Sequence, residues 1–148
     1  MVDKVNIKVI TSNEGLIECS KIRKQVFGDE EQADKSLYII DAVDTKSTTR
    51  NFLIFINEKA IGTTRYAKYN SSTIKLQRMA ILKPFRGKGL ASKLLKFVEI
   101  LVKKEGYEKI IFDAASSAKD FYLKNGYVTT SDEFYENNRP HYIIEKEL

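Results

Sequence analysis

An apolar strand runs directly into a glycine-rich loop and then into a long amphipathic helix near the middle of this sequence. The strand ends near Leu82, the loop reads Arg86-Gly87-Lys88-Gly89, and the apolar stripe of the helix begins at Leu90. Glycine lets the backbone turn sharply, and the first turn of a helix leaves its N–H groups without internal partners. The arrangement favours a phosphate site built from backbone amides, with charge added by Arg86 and Lys88. A tight turn that binds nothing is the alternative.

Two other phosphate-binding loops do not fit this stretch. A Walker loop needs Gly-x-x-x-x-Gly-Lys-Ser/Thr, whereas Gly87-Lys88 is followed by Gly89 and has no earlier glycine at the required spacing. A dinucleotide fingerprint needs a third glycine where Ser92 stands, and the acid expected about 20 residues later has only Glu108 as a weak candidate. An ATPase and a dinucleotide-binding domain are therefore both disfavoured.

The periodicity of the apolar residues predicts the element order β, α, three β, α, β, α, β, β. The predicted strands are 5–9, 52–56, 60–69, 73–82, 109–113, 127–130 and 142–146. The first helix opens at a capping box from Thr11 to Glu14 and stops at Gly28, and Ser116 or Ser117 caps the third helix. Residues 37–40 form either a short strand or a loop anchor. Strands beside helices indicate α/β layers, and the βαβ unit around the glycine loop predicts two parallel strands.

Length and composition indicate one domain spanning residues 1–148. A chain of 148 residues buries roughly 68–70% of its unfolded surface, which is enough for a core without disulfides. The longest apolar run, Phe52 to Ile56, has five residues, far fewer than the ~20 of a membrane helix. The first eight residues contain no apolar segment typical of a secretory signal. We therefore expect a cytoplasmic protein without a membrane partner.

The chain has one cysteine, Cys19, and one histidine, His141. A single cysteine excludes an internal disulfide, and the two residues are too few for a His/Cys zinc site. We therefore expect no metal. Cys19 shares the apolar stripe of the first predicted helix with Ile22, Arg23 and Val26, which favours a position in the core. A cysteine–histidine nucleophile pair is the alternative.

Most of the net charge of +5 lies between Arg86 and Lys109, where seven basic side chains face three acidic ones. A nucleic-acid patch, a small anionic ligand and a solvated helix face all fit such an excess. The solvated face is the default for the lysines of the helix, whereas Arg86 and Lys88 are interleaved with glycines. A nucleic-acid partner is not expected, because the charge is mostly lysine beside one loop.

The glycine loop and a second block near the C-terminus resemble motifs of the GNAT superfamily of acyl-CoA-dependent N-acyltransferases. The signature Arg/Gln-x-x-Gly-x-Gly/Ala is similar to Arg86, Gly89 and Ala91. The Phe-Tyr-x-x-x-Gly-Phe/Tyr element is similar to residues 121–127. The likeness covers about the whole chain and agrees in the order of elements.

Two further blocks resemble the YjcF-like/ElaA-like branch of that superfamily. Residues 26–32 are similar to its Val-Phe-x-x-Glu-Gln block, and Phe134 followed by Arg139-Pro140-His141 is similar to its C-terminal segment. The resemblance implies a GNAT-like α/β (α+β) fold with a mixed central sheet of about six or seven strands. It also implies helices on both faces and a βαβ core that binds acyl-CoA.

The resemblance further implies that acetyl-CoA is the acyl donor. Backbone N–H groups would hold the pyrophosphate at Arg86, Gly87, Lys88, Gly89, Leu90, Ala91 and Ser92. Strand residues Met79, Ala80 and Ile81 would separate from the parallel neighbour, pair with the pantetheine arm and polarise the thioester carbonyl. Tyr122 would protonate the departing sulfur, unless it serves only to pack the core. Ser116 and Ser117 either contact the CoA arm or only cap the helix.

The resemblance leaves the general base open. Many relatives carry a glutamate near the start of the strand that leads into the loop, but this chain has Gln77 and Arg78 there. Glu31 is one replacement and is otherwise a solvated loop acid. His141 is the other, as a catalytic or acceptor-site residue, and is otherwise a hydrogen-bonded structural histidine.

We therefore expect transfer of an acetyl group to a primary amine of a small molecule or peptide, by direct attack in a ternary complex. Arg23 and Arg78 either bind an anionic acceptor or pair with acids. The alternative function is a catalytically weak GNAT-fold module that binds CoA or regulates, because the usual glutamate is absent. A homodimer fits a superfamily whose members are often dimers, although the sequence does not determine the oligomeric state.

Overall fold

The computed structural model describes residues 3–148, so Met1 and Val2 of the predicted domain lie outside the described residues. The α-helices are α1 (Asn13–Arg23), α2 (Leu90–Lys104) and α3 (Lys119–Lys124). The strands are β1 (Val5–Ile10), β2 (Arg50–Ile56), β3 (Lys59–Lys68), β4 (Thr73–Ile81), β5 (Lys109–Ala115), β6 (Val128–Thr129), β7 (Phe134–Glu136) and β8 (Arg139–Glu147). The sheet has the order β1-β2-β3-β4-β5-β8-β6, and β7 pairs with β8. Its described pairings are antiparallel except β4–β5, which is parallel as the βαβ unit predicts.

Alternate residues of β2 divide the core into two layers. Phe52 and Ile54 belong to the cluster that contains Leu94 of α2, whereas Leu53 belongs to the cluster that contains Cys19 of α1. Because successive side chains of a strand point to opposite faces of the sheet, α1 and α2 cover opposite faces. The predicted α/β fold, with a mixed sheet and helices on both faces, is confirmed, although the sheet has eight strands. The core position of Cys19 is confirmed as well.

The first helix differs from the prediction at both ends. Ser12 and not Thr11 is the N-cap, and its hydroxyl accepts a hydrogen bond from the N–H three residues later at 3.0 Å. The backbone does not stop at Gly28 but continues as a π-helical segment, Lys24–Glu30. A Cβ on Gly28 would lie 3.0 Å from the ring of Tyr38. Gly28 therefore makes room for a neighbouring aromatic ring instead of ending the helix.

Of the two alternatives for residues 37–40, the strand is excluded, because a 3₁₀ turn at Lys35–Leu37 leads into an irregular connection. Two other local features were predicted wrongly or missed. Ser116 and Ser117 form a 3₁₀ turn and do not cap α3, which has no side-chain cap. The strand β7 was missed.

Within residues 3–148, every helix is too short or too polar to span a bilayer.

Candidate active site

The parallel strands β4 and β5 diverge after a short paired region. Their register pairs only Thr73 to Lys75 with Lys109 to Ile111, although β4 continues to Ile81 and β5 to Ala115. Arg78 has a left-handed backbone with φ +57°, and the pairing between β3 and β4 shifts register at this point. Such a bulge bends a strand and disturbs its pairing. The second halves of β4 and β5 therefore enclose a gap in the sheet.

Backbone groups of Met79 and Ile81 face this gap. The Leu82 N–H donates to the Ile61 carbonyl of β3 at 2.8 Å, so Leu82 turns toward β3. Residues of a strand direct their backbone groups alternately to either side, which turns Ile81 and Met79 toward β5 and Ala80 toward β3. The Ile81 carbonyl accepts a hydrogen bond from Arg86 Nε at 2.8 Å, which agrees with this direction. The N–H groups of Met79 and Ile81 are therefore the ones aimed at the gap.

The loop between β4 and α2 depends on two glycines. Gly87 and Gly89 have φ values of +77° and +76°, a conformation that costs other residues about 1–2 kcal/mol. No atom beyond the chain neighbours lies within 4 Å of where their Cβ atoms would be. The glycines therefore keep the outer surface of the loop clear of side chains.

The first turn of α2 opens into a small cavity. Gly89 is the N-cap residue and has no side chain to cap the helix, so the N–H groups of Leu90, Ala91 and Ser92 lack helical partners. The cavity measures about 220 Å³. It is lined by Ile81, Phe85, Arg86, Gly87, Gly89, Leu90, Ala91, Ser92 and Phe121. An anion of diphosphate size fits this combination of open space, exposed amides and positive helix dipole.

The side chains of Arg86 and Lys88 behave differently. Arg86 donates to both Glu30 carboxylate oxygens at 2.6 and 2.8 Å, and this pairing raises the pKa of Arg86. Lys88 is exposed, and its Nζ lies 5.7 Å from the centre of the Phe85 ring. Arg86 therefore ties the loop to the end of the π-helical segment, while Lys88 is the loop cation without an acidic partner among the described residues.

Tyr122 lies in an aromatic cluster below the loop. Its ring centre is 4.9 Å from those of Phe112 and Phe121 and 5.7 Å from that of Tyr127. Burial raises the pKa of the Tyr122 hydroxyl, so the group stays protonated at neutral pH. Phe121 packs against Tyr122 and also lines the loop cavity. The cluster therefore joins Tyr122 to the wall of the cavity.

The two serines after β5 lie at the end of the gap. Ser117 is exposed, whereas the Ser116 hydroxyl donates to Glu133 at 2.8 Å. Of the two, Ser117 is the serine whose hydroxyl has no protein partner among residues 3–148, so it remains open to a ligand.

Arg139 connects Glu31 and His141 through hydrogen bonds to both residues. Arg139 donates to the Glu31 carboxylate at 3.0 Å and to the Glu31 carbonyl at 2.7 Å. Nδ1 of His141 lies 2.8 Å from the Arg139 carbonyl. Because a carbonyl only accepts, Nδ1 is the donor in this contact, so in a neutral ring the lone pair would be on Nε2, which lies 4.0 Å from a Glu136 carboxylate oxygen. Burial raises the pKa of Glu31, against the opposing charge of Arg139.

His141 lies on the sheet face opposite α2. Ile110 and Ala114 of β5 pack in the α2 layer, so Asp113 and Ala115 point to the other face. His141 is the cross-strand partner of Ala115, and partners in a ladder share a face. The ring of His141 is stacked on Phe134 with centres 6.0 Å apart. The histidine therefore lies beside the end of the gap, on the α1 side of the sheet.

A family model for the acetyltransferase (GNAT) domain matches residues 15–148. This chain belongs to the GNAT acetyltransferase family. YyaT, an uncharacterized protein of Bacillus subtilis (strain 168), is 32% identical over 144 residues, which cover 97% of both chains. The uncharacterized N-acetyltransferase YjcF of the same strain is 28% identical over 141 residues, or 94% of this chain and 98% of YjcF.

Solved structures of other proteins share the GNAT fold of this chain. Escherichia coli ElaA has a TM-score of 0.85 at 17% identity, over 99% of this chain and 100% of ElaA. A GNAT acetyltransferase from Elizabethkingia anophelis with acetyl-CoA bound has a TM-score of 0.76 at 20% identity, over 99% of this chain and 100% of that chain. The predicted resemblance to the superfamily and to its YjcF-like/ElaA-like branch is confirmed.

For Arg23 the sequence left acceptor binding and pairing with an acid open, and in this GNAT domain Arg23 pairs with an acid. Its side chain is 0% exposed. It donates to both Asp44 oxygens at 3.1 and 3.0 Å and to Asn51 at 2.8 Å. The stripe it shares with Cys19 faces the sheet, which carries the guanidinium into the interior. Arg23 therefore cannot reach an acceptor in solvent.

Arg78 differs from Arg23 in having no partner. It is half-buried, and within residues 3–148 no acidic side chain pairs with it. Burial and the nearby charge of Arg65 lower its pKa. Of the two predicted acceptor-binding arginines, Arg78 is the one left free to bind an anion.

The sequence interpretation missed Phe121, Glu30 and Arg139 as parts of this site. Phe121 was visible in the family block but was not assigned to the cavity. Arg139 belongs to the β7–β8 hairpin, whose turn residues Asn137 and Asn138 have φ of +51° and +60°. Adjacent asparagines between short extended segments are typical of such turns, so this signal was available.

Proposed function

We propose that this GNAT protein transfers an acetyl group from acetyl-CoA to a primary amine of a small molecule or peptide. We also propose that residues 1–148 form a single catalytic domain. The proposal depends on the gap between β4 and β5, which leads to an open glycine loop and an uncapped helix. The acetyl-CoA bound in the Elizabethkingia anophelis structure supports the choice of donor.

The loop amides and the gap would each bind a different part of acetyl-CoA. The N–H groups of residues 87–92 would hold the diphosphate, with Lys88 adding charge from the exposed side. The N–H groups of Met79 and Ile81 would pair with the acyl-pantetheine arm in the gap. An N–H aimed at the thioester oxygen stabilises the negative charge that develops there.

Acetyl transfer forms a C–N bond and breaks the C–S bond of the thioester. The attacking amine loses one proton, and the departing sulfur gains one. Gln77 and Arg78 are not bases, so we assign proton removal to His141, whose Nε2 would hold the lone pair in a neutral ring. Glu31 is the alternative base, because its raised pKa brings it closer to neutral pH. Tyr122 keeps its hydroxyl proton at neutral pH and would donate it to the departing sulfur.

Replacing Tyr122 with phenylalanine should lower kcat by about tenfold, or ~1.4 kcal/mol in barrier height, while leaving acetyl-CoA affinity unchanged. Phenylalanine keeps the ring packing and removes only the hydroxyl. The matched control is Tyr127→Phe in the same cluster, whose hydroxyl donates to Glu99 and serves no proposed chemical step. Steady-state kinetics of thiol release would show this difference, and equal kcat values for Tyr122→Phe and the wild type would reject the acid role.

The pH profile separates the two candidate bases. A base must be deprotonated to act, so wild-type kcat/KM should fall as pH is lowered. We expect His141→Gln to lower the plateau value of kcat/KM by at least about tenfold and to remove the fall of kcat/KM at low pH. Glu31→Gln should keep this fall. If Glu31→Gln removes the fall of kcat/KM at low pH and His141→Gln keeps it, Glu31 is the general base.

Two measurements together test the proposed function. Acetyl-CoA should raise the melting temperature of the protein, and a panel of primary amines should release free CoA thiol. No thermal shift at millimolar acetyl-CoA would reject the donor. A shift without thiol release from any amine would instead support the CoA-binding module.

A further inference from the structure

Arg78 of β4 has an unusual backbone conformation and an unpaired positive charge. Arg78 follows Gln77 at the bulge, where its backbone is left-handed with φ +57°. A non-glycine residue in this conformation carries strain that functional sites often retain. The side chain is half-buried, and no acidic group of residues 3–148 lies within ion-pair distance. A half-buried guanidinium without a counter-charge has lost part of its hydration without compensation.

The acids nearest to Arg78 are already engaged. Asp44 accepts hydrogen bonds from Arg23 and Arg65, and Asp41 accepts from Arg65 at 2.8 and 3.2 Å. Arg65, Asp41, Arg23 and Asp44 are the charged groups with the largest effect on the pKa of Arg78. Arg78 therefore brings a third positive charge to a cluster with two negative ones. An anion from outside the chain would neutralise this excess.

A cavity lies beside Gln77, the residue before Arg78, and Arg78 itself is not among the residues that line it. This cavity measures about 360 Å³ and lies between the 43–49 connection and the strands β3 and β4. Lys46, Lys68 and Lys75 also line it. Lys75 pairs with Asp113 at 3.0 Å, whereas Lys46 and Lys68 are exposed and form no ion pair within the described residues. The electrostatic field around this cavity is therefore positive, which attracts anionic ligands.

We infer that the acceptor is an anionic amine, whose carboxylate or phosphate group is bound by the guanidinium of Arg78. This inference rests on the proposed acetyl transfer and names the substrate class. Arginine suits the task because its planar fork matches carboxylate and phosphate oxygens in pairs. Arg78 immediately precedes Met79, whose N–H faces the gap. A group bound at Arg78 would therefore hold the acceptor near the acyl-binding strand.

The inference is tested with matched pairs of amines. Glycine is compared with glycinamide, and O-phosphoethanolamine is compared with ethanolamine. Thiol release should give the wild type a kcat/KM at least about tenfold higher for the anionic member of a pair. Arg78→Gln should lose this preference through a higher KM, and Arg78→Lys should recover part of it, since charge returns without the fork.

Controls separate this inference from the proposed function. Lys103→Gln removes an exposed positive charge at the far end of α2 and should keep the preference. Acetyl-CoA should shift the melting temperature of Arg78→Gln as it shifts that of the wild type, which shows an intact fold and donor site. Equal use of charged and neutral amines by the wild type would overturn the inference, as would a preference that survives in Arg78→Gln.

If no amine releases thiol, the proposed acetyl transfer fails, and the anion site is judged by binding alone. Calorimetry with the same anionic amines and the acetyl-CoA-loaded protein then decides. Binding to the wild type that is lost in Arg78→Gln supports the anion site. Equal binding, or none, overturns it.

Discussion

Replacing Gly89 with glutamate should abolish the thermal stabilisation that acetyl-CoA confers on the protein. In the wild type, acetyl-CoA at 100 times its Kd should add about 2.7 kcal/mol of stability, or roughly 6 to 10 °C in Tm. The glutamate side chain would enter open space at the N-terminus of α2. Its negative charge would occupy the place of the diphosphate and pair with the helix dipole. We expect affinity to fall by about 100-fold or more, which corresponds to ~2.7 kcal/mol.

Gly106→Glu is the matched control for this variant. Gly106 lies just beyond the other end of α2, has φ +94°, and also has no atom within 4 Å of its Cβ position. Both variants therefore carry the same added charge and a similar backbone strain. Differential scanning fluorimetry with and without acetyl-CoA should show a normal shift for Gly106→Glu and none for Gly89→Glu. A full shift in both would place the diphosphate somewhere other than this loop.

Replacing Asp44 with asparagine should destabilise the fold by about 3–5 kcal/mol. The Arg23–Asp44 pair is 0% exposed on both sides, so neutralising Asp44 leaves a buried arginine without its counter-charge. Arg65 would lose one of its two acidic partners at the same time. Urea denaturation should report the loss as a lower midpoint with an unchanged m-value.

The matched control for Asp44→Asn removes an acid from an exposed ion pair. Asp29→Asn breaks the exposed pair with Lys24 and should cost less than about 1 kcal/mol.

Burial alone would raise the pKa of Asp44, but hydrogen bonds from Arg23 and from the Asp41 backbone lower it to about 2. The wild type should therefore keep this contribution above about pH 4 and lose it as pH falls toward 2, because the unfolded chain then binds the proton first. A cost for Asp44→Asn no larger than for Asp29→Asn would show that the cluster does not stabilise the fold.

Local patterns in the sequence predicted the elements that form the proposed donor site. The alternation of β4, the glycines at 87 and 89, and the stripe of α2 each depend on residues close together in the chain. A left-handed φ is a property of a single residue, and helical amphipathicity shows within a few turns. The strand, loop and helix therefore appear in the structure close to where they were predicted.

Elements whose form depends on neighbours distant in sequence were predicted poorly. The π-helical segment passes through Gly28, where the absence of a side chain leaves room for the ring of Tyr38. The strand β7 has only three residues and forms through its pairing with β8. Short segments with weak periodicity carry too little local preference to be assigned alone.

Residues close together in the chain were enough to predict the proposed donor half of this protein: a parallel βαβ unit with a glycine loop at the start of its helix. Which arginine is structural and which is free depends on contacts that form only in the folded chain. Arg23 pairs with Asp44, 21 residues away, while Arg78 has no acidic partner within the described residues. Ion pairing falls steeply with distance through space and is insensitive to separation along the chain, so residue spacing alone could not distinguish the two.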